Sequence, residues 1–124
     1  MVPDSILKKP TKLTEEEKLE ISKHTSAGES IIKEIYPKSD ANEFMRMALK
    51  VTRSHHERWD GTGYPDGLNG EDIPLSARIV SLVNSYAKLA CKRPYKETVS
   101  KKAAPDIINS ESGTRFAHEL VALL

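Results

Sequence analysis

The 124-residue sequence predicts an all-α fold, and three features support that prediction. Apolar side chains recur at three- and four-residue spacing through the longer segments, capping signatures precede two of them, and glycine and proline gather between these segments. Charge is nearly balanced, 19 Lys and Arg against 18 Asp and Glu, which argues against DNA or an anionic membrane as a partner. Cys91 is the only cysteine, so an internal disulfide is excluded and a cytoplasmic setting is expected. No apolar run approaches the roughly 20 residues of a membrane span, and Met1-Val2-Pro3-Asp4 does not open a secretory leader. At this length one domain over 1–124 with a single modest core is expected.

Thr14 followed by Glu17 is a capping box that starts a helix from about Glu15 to Tyr36, closed by Pro37. Ile21, His24, Gly28, Ile31, Ile32 and Ile35 form one stripe of it, which places His24 on the side expected to be buried. Asp40 with Glu43 repeats the signature for a second helix ending near His56, whose stripe is Phe44, Ala48, Val51 and His55. Residues 57–74 contain Gly61, Gly63, Gly67, Gly70 and two prolines, too many helix breakers for anything but an ordered loop. Trp59 and Tyr64 are candidates to pin that loop. A third helix is expected from about Pro74 to Ala90, with Ile79, Val80, Val83, Tyr86, Ala87 and Ala90 as its apolar face. Shorter helices are expected around Lys101 to Ser110 and Ala117 to Leu124, separated by Ser112-Gly113-Thr114, with His118 exposed and without a role.

Chemistry concentrates at His55-His56, where adjacent imidazoles run into the glycine-rich loop. Neutral imidazole is a common ligand for transition metals, and Glu57 and Asp60 nearby are candidates to supply oxygen donors or orient the rings. Consecutive helical residues point about 100 degrees apart, so both rings meet one point only at the mouth of the bundle. His24 is the third candidate ligand.

The run from His55 through Gly61-Thr62-Gly63-Tyr64-Pro65-Asp66-Gly67-Leu68, with Ile73-Pro74, Ala77-Arg78-Ile79-Val80 and Arg93-Pro94-Tyr95-Lys96, closely resembles the HD-GYP family, whose members hydrolyse cyclic di-GMP in bacteria. Val2 to Leu7, His24 with Gly28, and Gly113-Thr114 with Phe116 extend the likeness over nearly the whole chain. The resemblance implies a partial HD-domain bundle of about five helices with a long Gly/Pro-rich loop, lacking the His-Asp helix that precedes this region in the family. It also implies divalent-metal phosphodiester hydrolysis, with His24, His55, His56 and Asn84 at the ligand positions. Asn84 stands where the family has an aspartate, and Ala87 replaces a second one, so one metal rather than two is expected. Iron or manganese is favoured, with zinc or nickel as alternatives. Tyr64, Arg93 and Lys96 occupy substrate-contact positions, the two bases holding phosphate oxygens. Gly61, Gly63, Tyr64 and Pro65 form the signature turn implicated in docking diguanylate cyclase domains. The expected function is a degenerate member binding cyclic di-GMP, a related phosphodiester or a partner; the alternatives are an active phosphodiesterase and a metal-free helical interaction module. Loss of a covering helix would leave apolar surface bare, so a homo-oligomer is expected.

Overall fold

The computed structural model describes residues 2–38, 41–90 and 103–124. Helices follow in the order α1 (Asp4–Leu7), α2 (Glu15–Ser22), α3 (His24–Ile35), α4 (Glu43–Ser54), α5 (Leu75–Ala90), α6 (Ala103–Ser110) and α7 (His118–Val121), with a 3-10 turn at Gly70–Asp72. The all-α expectation holds, since extended pairing among the described residues amounts to isolated bridges.

Thr14 builds the capping box that its spacing predicts. Its Oγ1 accepts from the Glu17 amide at 3.2 Å, and Glu17 Oε2 accepts from the Thr14 amide at 2.8 Å. The single helix expected over 15–36 is instead two, broken at Lys23. Hydroxyl chemistry explains the break: Ser22 Oγ donates to Leu19 O at 2.7 Å and Thr25 Oγ1 to Ser22 O at 3.0 Å, using carbonyls that bend a helix when side chains claim them. The second cap also differs from expectation. Asn42, not Asp40, starts α4, its Oδ1 accepting from Phe44 N at 2.9 Å and Met45 N at 3.3 Å. Asp40 lies outside the described residues.

α3 and α4 pack together, and at their crossing a Cβ on Gly28 would come within 2.8 Å of Thr52 Cγ2. Glycine is therefore what lets the helix bearing His24 approach the helix that ends at His55. On its other side α5 packs against α6 and α7 around Leu82, Ile108, Phe116 and Val121, with Tyr86, Leu89 and Leu120 against this cluster.

The apolar stripes expected to be buried largely face outward. Ile31, Ile35, Phe44, Ile79, Val80 and Val83 are exposed, Phe44 to 73% and Val83 to 58%. On α5 the buried face is instead Ala77, Ser81, Leu82 and Ser85, whose mostly small side chains permit close approach to the neighbouring helices. Periodicity identifies an apolar face; whether an element covers it is a separate matter. The last helix is also shorter than expected, with Val121 reaching the core while Leu123 and Leu124 are exposed. The expected start of α6 at Lys101 lies outside the described residues. No described helix is long and apolar enough to cross a membrane.

Candidate metal centre

The bend at Lys23 and the end of α4 bring three imidazoles together. His24, His55 and His56 each offer a ring nitrogen within 4.8 Å of the others, and all three rings are half-buried. Ring centroids lie 4.2 Å apart for His55 and His56, 5.0 Å for His24 and His56, and 5.6 Å for His24 and His55. A carbonyl only accepts, so Nδ1 of His24, 2.6 Å from Ile21 O, and Nδ1 of His55, 2.9 Å from Val51 O, carry the ring protons. That tautomer of the neutral ring leaves its lone pair on Nε2, as a metal ligand requires. The residues present therefore fit a divalent cation. Among the described residues no carboxylate joins this group.

The acids beside the histidines have other work, contrary to expectation. Glu57, 3% exposed, accepts from the Asp66 amide at 2.7 Å on Oε1 and from the Leu68 amide at 3.0 Å on Oε2. Asp60 Oδ1 accepts from the Thr62 amide at 3.0 Å and its hydroxyl at 2.6 Å. Both shape the loop. Main-chain bonds complete its outline: Trp59 N donates to Arg115 O at 3.1 Å, Asp60 N to Thr114 O at 2.8 Å and Gly70 N to Trp59 O at 3.0 Å. Trp59 pins the loop to α5, with the Arg78 guanidinium 5.5 Å above its ring. Glu57→Ala is expected to lower stability by about 2 kcal/mol in urea denaturation, because two amides lose their acceptors, and Glu57→Gln by less. Equal losses would show that both oxygens are needed, because glutamine keeps one acceptor and turns an NH2 donor toward the other amide.

The Tyr64 ring stacks on His56 with centroids 4.9 Å apart and planes 24° from parallel. Gly63 permits this approach because it runs against the backbone of Glu57 and Arg58. Gly61 turns the loop at φ +78°, and the Tyr64–Pro65 peptide is cis. Beside His24, a cavity of about 700 Å³ is lined by Val2, Lys23, Ala27, Gly28 and Ile31 among others. Asn84 is half-buried on α5, one turn before Lys88. Arg93 and Lys96 lie outside the described residues.

Two cations go unnoticed in the sequence. The charges of Lys88 and Arg115 both reach His56, and Arg115 also acts on Tyr64. Nothing in local sequence separates them from surface bases, since their placement depends on α5 and on the turn Gly113–Phe116.

Residues 1–120 match the family model described as HD domain. The chain belongs to the HD-domain family. This HD domain is 41% identical over 116 residues to a probable cyclic di-GMP phosphodiesterase of Vibrio cholerae, covering 93% of this chain and 26% of that protein. It is 37% identical over 121 residues to a cyclic di-GMP phosphodiesterase of Thermotoga maritima, covering 97% and 31% respectively. A third relative, 36% identical over 123 residues, is the 3'3'-cGAMP-specific phosphodiesterase 2 of Vibrio cholerae, with coverage of 99% and 23%. The HD domain thus spans about a quarter of the length of the curated relatives it matches, and the resemblance to HD-GYP proteins holds.

Burial, then the neighbouring His55 and His24 and the cations Lys88 and Arg115, push the His56 pKa down to about 3. An unfolded histidine titrates near 6.5. The unfolded HD domain therefore takes up a proton on this residue as pH falls through about 6.5, while the folded form does not until about 3. Stability is lost on acidification across that window and is insensitive to His56 above it. The metal-free melting temperature is expected to fall by roughly 5 °C between pH 7.5 and 5, and His56→Gln is expected to flatten that part of the profile. An unchanged slope in the variant would assign it to other groups.

Proposed function

We propose that this HD domain holds one divalent metal through His24, His55 and His56, with Asn84 or solvent completing the shell, and binds cyclic di-GMP or a related phosphodiester beside it. The observation that carries this reading is the convergence of three imidazole nitrogens within 4.8 Å, with two Nδ1 protons held by backbone carbonyls. Iron or manganese is favoured, with zinc or nickel as alternatives. When bound, the cation supplies Lewis acidity toward a phosphodiester oxygen.

The protein's own groups bind and orient the ligand. Tyr64 stacks on His56 and lies edge-on to His24 at 6.4 Å, which puts an aromatic ring and a phenol beside the cluster. Lys88 and Arg115 place positive charge beside it. By family resemblance Arg93 adds a bidentate grip on phosphate and Lys96 a flexible point charge. Binding without turnover is favoured over hydrolysis, because two close dications need anionic ligands to offset their repulsion and the described cluster is histidine only. The relatives' names as phosphodiesterases favour hydrolysis of the same ligand as the second reading. The turn at Gly61, Gly63, Tyr64 and Pro65 is a candidate dock for diguanylate cyclase domains, which rests on resemblance.

The test is elemental analysis of untagged protein prepared without oxygen and incubated with iron(II) or manganese(II), followed by cyclic di-GMP titration and a hydrolysis assay. About one metal per chain with binding and no turnover supports the proposal. About two metals with hydrolysis moves the conclusion to the phosphodiesterase, and neither metal nor nucleotide leaves a helical interaction module. Self-association is proposed with it, because Leu75, Ile79 and Val83 form an exposed apolar row at four-residue steps along α5. A dimer is expected in sedimentation at micromolar concentration; a monodisperse monomer removes that part.

A further inference from the structure

Arg53 sits where three parts of the fold meet. Its Nε donates to Asp66 Oδ2 and its Nη2 to Asp66 Oδ1, each at 2.7 Å, while Nη1 donates to Glu29. Glu29 lies on α3, the helix that begins with His24; Arg53 lies on α4, two residues before His55; Asp66 lies in the loop, two residues after Tyr64. The Asp66 amide in turn donates to Glu57, which directly follows His56. A continuous run of contacts therefore leads from α3 through Arg53 on α4 to the loop, and from the loop back to the residue that follows His56.

We propose that Arg53 is a positioning residue that holds the loop at Asp66, so that Tyr64 stays stacked on His56 in register with both histidine-bearing helices. The chemistry calls for arginine. One planar guanidinium grips both oxygens of Asp66 and still reaches Glu29 with a third N–H, whereas a lysine ammonium carries one charge point and cannot match the fork. Side-chain exposures of 35% for Arg53, 33% for Asp66 and 17% for Glu29 put this network at the rim. Rim ion pairs contribute little to global stability, so its effect is local geometry. The loop has other anchors: Trp59, Asp60 and Gly70 hold its two ends, and the Tyr64 amide donates to His56 O at 3.3 Å, a long bond that fixes the main chain there but not the plane of the ring. Asp66 and Leu68 are the ties nearest Tyr64 on its far side.

The functional meaning rests on the metal and nucleotide reading above, yet the loop geometry is readable without any ligand. The experiment is amide hydrogen exchange with aromatic NOE spectroscopy on the wild type, Arg53→Ala, Arg53→Lys, and the paired exchange Arg53→Glu with Asp66→Arg, carried together with Glu29→Gln so that the new carboxylate does not face a second one. Exchange at Tyr64, Asp66 and Leu68 is expected to rise about tenfold in both single variants. The Tyr64–His56 ring contact should weaken while amides of α4 and α5 keep their protection, and the paired exchange should restore most of the loss. Loop exchange within about twofold of wild type, or acceleration spread evenly over α3, α4 and α5, overturns the proposal. In the ligand arm, Arg53→Ala is expected to keep its manganese and bind cyclic di-GMP about tenfold more weakly. Loss of manganese along with the loop contact would mean that Arg53 supports the histidines instead, which also overturns it. A wild type that binds no cyclic di-GMP refutes the nucleotide reading, and the exchange data still decide the role of Arg53.

Discussion

Gly63→Ala is expected to lower stability by about 3 kcal/mol or more in urea denaturation. A Cβ at this position would lie 2.5 Å from Glu57 Cα and 2.6 Å from Glu57 C, and closer still to Arg58 N. All three are main-chain atoms just beyond α4, so no side-chain rotation relieves the clash. The loop has to move bodily, taking Tyr64 away from His56. Gly70→Ala is the informative control. Its φ is +56° but nothing lies within 4 Å of the added methyl, so only the left-handed backbone conformation is penalised, at about 1 kcal/mol. Equal losses at the two positions would mean that Gly63 is not packed against the end of α4.

Alanine at any of His24, His55 or His56 is expected to reduce metal content from about one per chain to near zero, with affinity falling at least about 100-fold. Only three imidazoles converge among the described residues, and no carboxylate stands in reserve. His118→Ala supplies the control, because His118 is exposed and its Nδ1 faces Ser112 Oγ at 2.8 Å, apart from the cluster. Elemental analysis and competition with a chromophoric chelator measure both quantities. Full metal retention in His56→Ala, or loss in His118→Ala, would remove the triad from consideration.

Much of the local structure was legible in residue order. Thr14 and Glu17 form the box their spacing announces, and adjacent imidazoles ahead of a glycine-rich loop pointed to the cluster that the fold assembles. What failed was burial. Ile79 and Val83 read as core because apolar residues recur there, yet Ser81 and Ser85 take the inward positions and the valines and isoleucines face out. Hydropathy ranks the faces of a helix without knowing which neighbours arrive. Glu57 was misread for a different reason: its partners are the amides of Asp66 and Leu68, and a main-chain N–H leaves no mark in the sequence. The cations at Lys88 and Arg115 were hidden because the segments carrying them come from distant parts of the chain.

The ends of the glycine-rich loop are drawn largely in main-chain bonds, with Trp59, Asp60 and Gly70 all donating to carbonyls. Such bonds are indifferent to the side chains they pass. Positions such as Thr62, exposed and bonded only within its own turn, are therefore free to vary while the path of the backbone persists. The loop is accordingly a natural graft site: a library confined to its outward positions would explore new ligand preferences on one unchanging template, leaving the cost of refolding out of the search.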